Sequence, residues 1–94
     1  MKINIMYSKN FEEWTISINS NIIATVPDVY TEYFHDQTHS WACLSIEEKI
    51  ENMANFFTDR FLETEKGKSY LWYKQDIIET VKETFYRRFV VCKQ

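Results

Sequence analysis

The first twenty-six residues alternate between apolar and polar side chains. Ile3, Ile5 and Tyr7 fall on one side of an extended chain, and Lys2, Asn4 and Met6 on the other. A period of two marks a half-buried strand, which places one over 2–7. Trp14, Ile16 and Ile18 against Thr15, Ser17 and Asn19 repeat the pattern over 14–19, and Ile22 to Val26 adds a third run over 22–26. Ser8-Lys9-Asn10 and Asn19-Ser20-Asn21 lie between the runs. Asparagine accepts the left-handed backbone of tight hairpins, so the pattern predicts an antiparallel three-stranded meander. Pro27 ends the third strand, since it has no N–H to give a ladder.

Beyond Pro27 the period lengthens. Asp28 is placed to cap a short helix at 29–34. Residues 35–44 are polar and aperiodic and read as a loop with room for a helical turn. Ser45-Ile46-Glu47-Glu48 is a capping box, with Ser at the N-cap and Glu three residues on. Ile46, Ile50, Met53, Ala54, Phe57 and Phe61 then form one apolar stripe, which predicts a helix over 46–64. Gly67 is suited to terminate it. Asp76-Ile77-Ile78-Glu79 repeats the capping-box pattern. Leu71, Ile78, Val81, Phe85 and Phe89 share a helical face, so a second long helix is expected over 70–90, with a break near Gln75. Phe89-Val90-Val91-Cys92 is β-prone, and a closing strand there is the alternative. The expected fold class is α+β.

Composition narrows the rest. Ninety-four residues suffice for one domain and not for two cores, so 1–94 reads as a single domain. Sixteen aromatic side chains give even so short a chain the means to bury a core. Gly67 is the single glycine, which excludes Gly-rich phosphate loops and dinucleotide fingerprints. The opening Met1-Lys2-Ile3-Asn4-Ile5 has no apolar h-region, so a signal peptide is not expected, and no apolar run is long enough to span a bilayer. Two cysteines, Cys43 and Cys92, are fewer than small secreted scaffolds use, so a cytoplasmic location is expected.

Charge is uneven along the chain. Residues 1–65 carry four Lys/Arg against eleven Asp/Glu, whereas 66–94 carry seven against three. The basic segment interleaves Lys74, Lys82, Arg87 and Arg88 with Tyr70, Trp72, Tyr73 and Tyr86. Such a mixture suits a phosphate backbone with base stacking, although the whole chain is acidic, with net charge −3. His35, His39 and Cys43 follow at i, i+4 and i+8, residue types that zinc takes, with Cys92 as a distant fourth ligand. A Cys/His nucleophilic pair can be written from the same residues. With no orienting third group and no nucleophile elbow, an enzyme is not expected, nor is a cofactor.

Aromatic residues also outnumber what one stripe per helix can hide, and exposed aromatic patches mark partner surfaces. A small acidic surface can compete with nucleic acid for a basic groove. In general kind the chain resembles the small inhibitor proteins of phages and mobile elements, anti-CRISPR and antirestriction proteins among them. That resemblance carries no motif and assigns no residue. The leading expectation is a non-enzymatic module that binds a larger complex, such as a nuclease or other nucleic-acid machine. Its contacts would come from Glu47, Glu48, Glu51, Asp59, Tyr70, Trp72, Tyr73, Arg87 and Arg88. A nucleic-acid-binding regulatory domain is the second reading and a zinc domain the third. The aromatic helices also admit a homodimer.

Overall fold

The computed structural model describes residues 1–35 and 43–91. His39, Trp41 and Cys92, and most of the expected loop at 35–44, therefore lie outside the described residues. Strands β1 (Ile3–Ser8), β2 (Glu13–Ile18) and β3 (Asn21–Pro27) form one antiparallel sheet in the order β1-β2-β3, as the alternation predicts. Asn19 and Ser20 both have positive φ, 52° and 71°, which a two-residue hairpin needs to match the strand twist. The longer first hairpin places Glu12 at φ 49°, a position that nothing in the sequence marks.

The β2–β3 register shifts between Ile16 and Ser17: Ile16 opposes Ala24, and Ser17 opposes Ile22. Ile23 is the extra residue of this bulge and packs against the core, while Ile22 turns out to solvent. Pro27 lies opposite Glu13, and Asp28 N–H donates to the Glu12 carbonyl at 2.9 Å. Pro27 thus occupies a non-bonded pair of the ladder, where its missing N–H removes nothing.

Asp28 does more than cap. Its Oδ1 accepts from the backbone N–H of Tyr30 (3.0 Å) and Thr31 (3.3 Å), which starts helix α1 (Tyr30–His35). The same atom accepts from Trp14 Nε1 at 2.9 Å, so one carboxylate ties β2 to α1. Tyr30 is buried beside it, and burial pushes its phenol up to about 12 against an opposing pull from Arg60.

Helix α2 (Ile46–Glu63) begins with the predicted capping box. Ser45 Oγ accepts from Glu48 N–H at 3.1 Å, and Glu48 Oε1 accepts from Ser45 N–H at 3.0 Å. The bond from the Ser45 N–H holds the Glu48 carboxyl below its ordinary range, and the Ser45 side chain adds to this. Ile50, Met53, Ala54, Phe57 and Phe61 are buried as the stripe requires, whereas its first member, Ile46, is exposed.

Gly67 does not end this helix. Thr64 leaves it in extended conformation, with its N–H and Oγ1 both donating to the Phe61 carbonyl at 3.0 and 2.6 Å. Gly67 N–H donates in turn to Thr64 Oγ1 at 3.1 Å and opens a 3₁₀ segment, Gly67–Tyr73, without positive φ. Glycine is needed here for close approach: a Cβ would lie 1.9 Å from the Phe61 carbonyl oxygen.

The second long helix is shorter than its pattern suggests. The chain breaks at Tyr73 (φ −107°, ψ 18°), two residues before Gln75, and helix α3 runs Lys74–Tyr86. The second capping box does not form; no side chain caps Tyr73, and Glu79 instead accepts from Gln75 Nε2 at 3.1 Å. Leu71 is exposed, and Ile77 takes a fully buried place beside Ile78, Val81 and Phe85. Arg87–Val91 continues as a π-helical turn, so no closing strand forms over 89–91.

The sheet's inner face (Ile5, Trp14, Ile16, Ile18, Val26) packs on the buried faces of α2 and α3 in two layers. At the seam, the rings of Trp14, Tyr30, Phe57 and Phe85 contact one another with centroids 5.0 to 6.3 Å apart. No helix among the described residues is long and apolar enough to cross a membrane.

Candidate functional site: an acidic cleft and an aromatic shoulder

The start of α2 and the outer face of α3 enclose an open cleft of about 700 Å³. Glu47, Glu48 and Glu51 enter it from α2 because residues at i and i+4 share a helix face. Glu79, Glu83 and Tyr86 enter from α3 for the same reason. Five carboxylates thus face one ammonium, that of Lys82. They are not equally free. Glu48 is engaged by Ser45, Glu79 by Gln75, and Glu83 by Arg87 at 2.6 Å. Glu47 and Glu51 have no hydrogen bond or ion pair among the described residues, and both are exposed.

A second group lies on the 3₁₀ segment. Tyr70 turns inward against Phe61 (6.2 Å) and Tyr73 (6.4 Å). Leu71, Trp72 and Tyr73 face solvent, with Trp72 93% exposed. Burying an indole is worth kilocalories, so folding leaves a large apolar surface unused here. Lys74 Nζ meets Asp59 Oδ1 at 3.1 Å, tying this shoulder to α2. Both partners are about half exposed, so the pair contributes at most about 1 kcal/mol.

The nine expected contact residues do not form one surface. Glu47, Glu48 and Glu51 share the cleft; Asp59, Tyr73 and Trp72 belong to the shoulder, with Tyr70 half-buried beneath it. Arg87 and Arg88 separate: Arg87 bonds Glu83 at the cleft, while Arg88 lies over the Tyr7 ring, 3.8 Å from its centroid. Adjacent residues of a helical turn point to different faces, so Arg87 reaches the cleft while Arg88 turns to the sheet. The division of the sequence into an acidic front and a basic back is also lost in space, since Glu79 and Glu83 of the basic segment line the acidic cleft.

Sequence reasoning left Glu79, Glu83 and Tyr86 out of the contact set. Their signal was their spacing of four and three, which places them on one face of α3. What the spacing does not say is that this face adjoins Glu47 and Glu51.

For the expected metal set, His35 ends α1 with its ring edge-on to Phe34, and Cys43 is an exposed free thiol. His39 lies outside the described residues. Among the described residues no three of His, Cys, Asp and Glu are grouped to hold a metal ion.

No family model, curated protein or solved structure matches the chain.

Proposed function

We propose that the protein is a non-enzymatic binding module. In this reading it occupies a basic, nucleic-acid-handling surface of a larger complex, as phage and mobile-element inhibitors do. The observation that carries the reading is the cleft, where five carboxylates converge against one ammonium and two of them, Glu47 and Glu51, lack internal partners. Such a field attracts an arginine- or lysine-lined groove and can stand where phosphates would. Trp72 supplies a second, apolar anchor of the type enriched in interface cores.

Direct nucleic-acid binding finds less support. Lys74 is paired with Asp59, Arg87 with Glu83, Lys82 sits among glutamates, and Arg88 is turned onto the sheet. The four cations therefore offer no continuous track for a phosphate backbone.

The test is capture from a native host, followed by competition. The expected result is retention of a nucleic-acid-binding protein that added DNA or high salt displaces. Replacing Glu47, Glu51 and Glu79 with Gln together should abolish retention while the fold persists. Retention unaffected by the triple substitution would refute the reading, as would tight gel-shift of DNA by the module alone.

A further inference from the structure

A pocket of about 410 Å³ opens between the end of α3, the turn that follows it and β1. Its walls are Asn4, Ile5, Tyr7 and Trp14 on the sheet side and Thr84, Arg87 and Arg88 on the other, with no carboxylate among them. We propose that this pocket binds a phosphate monoester, held by the Arg88 guanidinium.

The argument starts from how Arg88 is held. Its guanidinium carbon lies 3.8 Å from the Tyr7 ring centroid and 5.8 Å from those of Trp14 and Phe89. Stacking on an aromatic face fixes the plane of the fork, leaving its edge to meet a ligand. Nε is buried and has no hydrogen-bond partner, and no ion pair reaches Arg88 among the described residues. A buried guanidinium N–H left without a partner calls for an acceptor, and an anion is the acceptor that also answers the charge. The other cations behave differently: Arg87 and Lys74 each have a carboxylate on the protein itself.

The pocket favours phosphate over a simple carboxylate for two reasons. Arg87 also lines it; its Nη2 is held by Glu83 at 2.6 Å, but its remaining N–H donors are left for a ligand. A tetrahedral dianion can engage these as well as the Arg88 fork, where a planar monoanion saturates one guanidinium. The volume exceeds what the anion alone fills, leaving room for an ester substituent against Ile5 and Thr84.

The probe is inorganic phosphate, titrated at constant ionic strength and read from the Arg88 Nε–Hε and Tyr7 ring resonances. Saturable shifts confined to this pocket are expected. Arg88→Lys, which retains the charge and loses the fork, should weaken binding roughly tenfold. Arg87→Gln leaves the stack on Tyr7 intact and should weaken it several-fold, which keeps the test open if the first variant folds poorly. Acetate titrated identically should give no saturation. A linear, unsaturated phosphate response, one unchanged in Arg87→Gln, or equal saturation by acetate would each overturn the proposal. Arg87→Gln also releases Glu83 at the acidic cleft, but the titration of the unsubstituted protein and of Arg88→Lys leaves the cleft carboxylates unchanged, so failure here is distinguishable from failure of the partner reading.

Discussion

Trp14 and Trp72 are the same side chain with opposite fates, 1% and 93% exposed. Trp14 belongs to a period-two stripe, has Asp28 for its indole N–H at 2.9 Å, and touches Tyr7, Phe57 and Phe85. Trp72 belongs to no stripe, because the 3₁₀ segment that carries it rotates three residues per turn and buries only Gly67 fully. The contrast separates what the chain uses to fold from what it leaves available. An aromatic residue stabilises the fold only where its local period aims it at the neighbouring layer.

The strongest way to break this comparison is to truncate the buried ring. Trp14→Ala should destabilise the protein by about 3–5 kcal/mol, through lost burial and a cavity at the seam of the two layers. Small domains hold only about 5–15 kcal/mol in total, so a large shift of the urea midpoint is expected. A loss under about 1 kcal/mol would show that the ring cluster does not hold the layers together.

The next test sharpens the boundary between the two regions. Gly67→Ala should destabilise by about 1–3 kcal/mol, in the range of overpacked sites. The added methyl would meet the Phe61 carbonyl oxygen at 1.9 Å and Thr64 Oγ1 at 2.5 Å, and that carbonyl already accepts two bonds from Thr64. The shoulder must shift or the end of α2 must loosen. An unchanged urea midpoint would mean that the shoulder moves freely on α2.

These two positions also show what was legible in the sequence. The meander, its Asn19-Ser20 hairpin, the Ser45 capping box and the α2 stripe all rest on patterns within a few residues, and all are present except for Ile46, the exposed first member of the stripe. Leu71, seven residues from Ile78, predicts one amphipathic face over 70–90 with a break near Gln75. A 3₁₀ segment breaks that phase, so Tyr70 packs inward and Leu71 outward. The sequence marks Gly67 as a helix terminator, but glycine is required there by the Phe61 carbonyl, six residues back in α2, rather than by its own φ. The cleft was half legible. Each helix shows its glutamates in sequence, but the meeting of Glu47 and Glu51 with Glu79 and Glu83 depends on a helix–helix approach that no local pattern encodes. The parting of Arg87 from Arg88 follows from their adjacency on a helical turn, but the ring that receives Arg88, Tyr7, lies 81 residues away in the chain.

The smallest expected effect completes the comparison. Trp72→Ala should change stability by less than about 0.5 kcal/mol, because the side chain loses almost no area on folding. The near-zero value is informative because the same substitution at Trp14 is expected to cost several-fold more. Two urea melts under one set of conditions therefore measure directly how differently the fold uses its indoles. A destabilisation above about 1 kcal/mol at Trp72 would mean that the shoulder packs against the body in solution, and Trp72 would then cease to be a free anchor. If stability holds while retention of the partner falls, the indole contributes to binding alone, and the division between the folding seam and the exposed shoulder is also a division of labour.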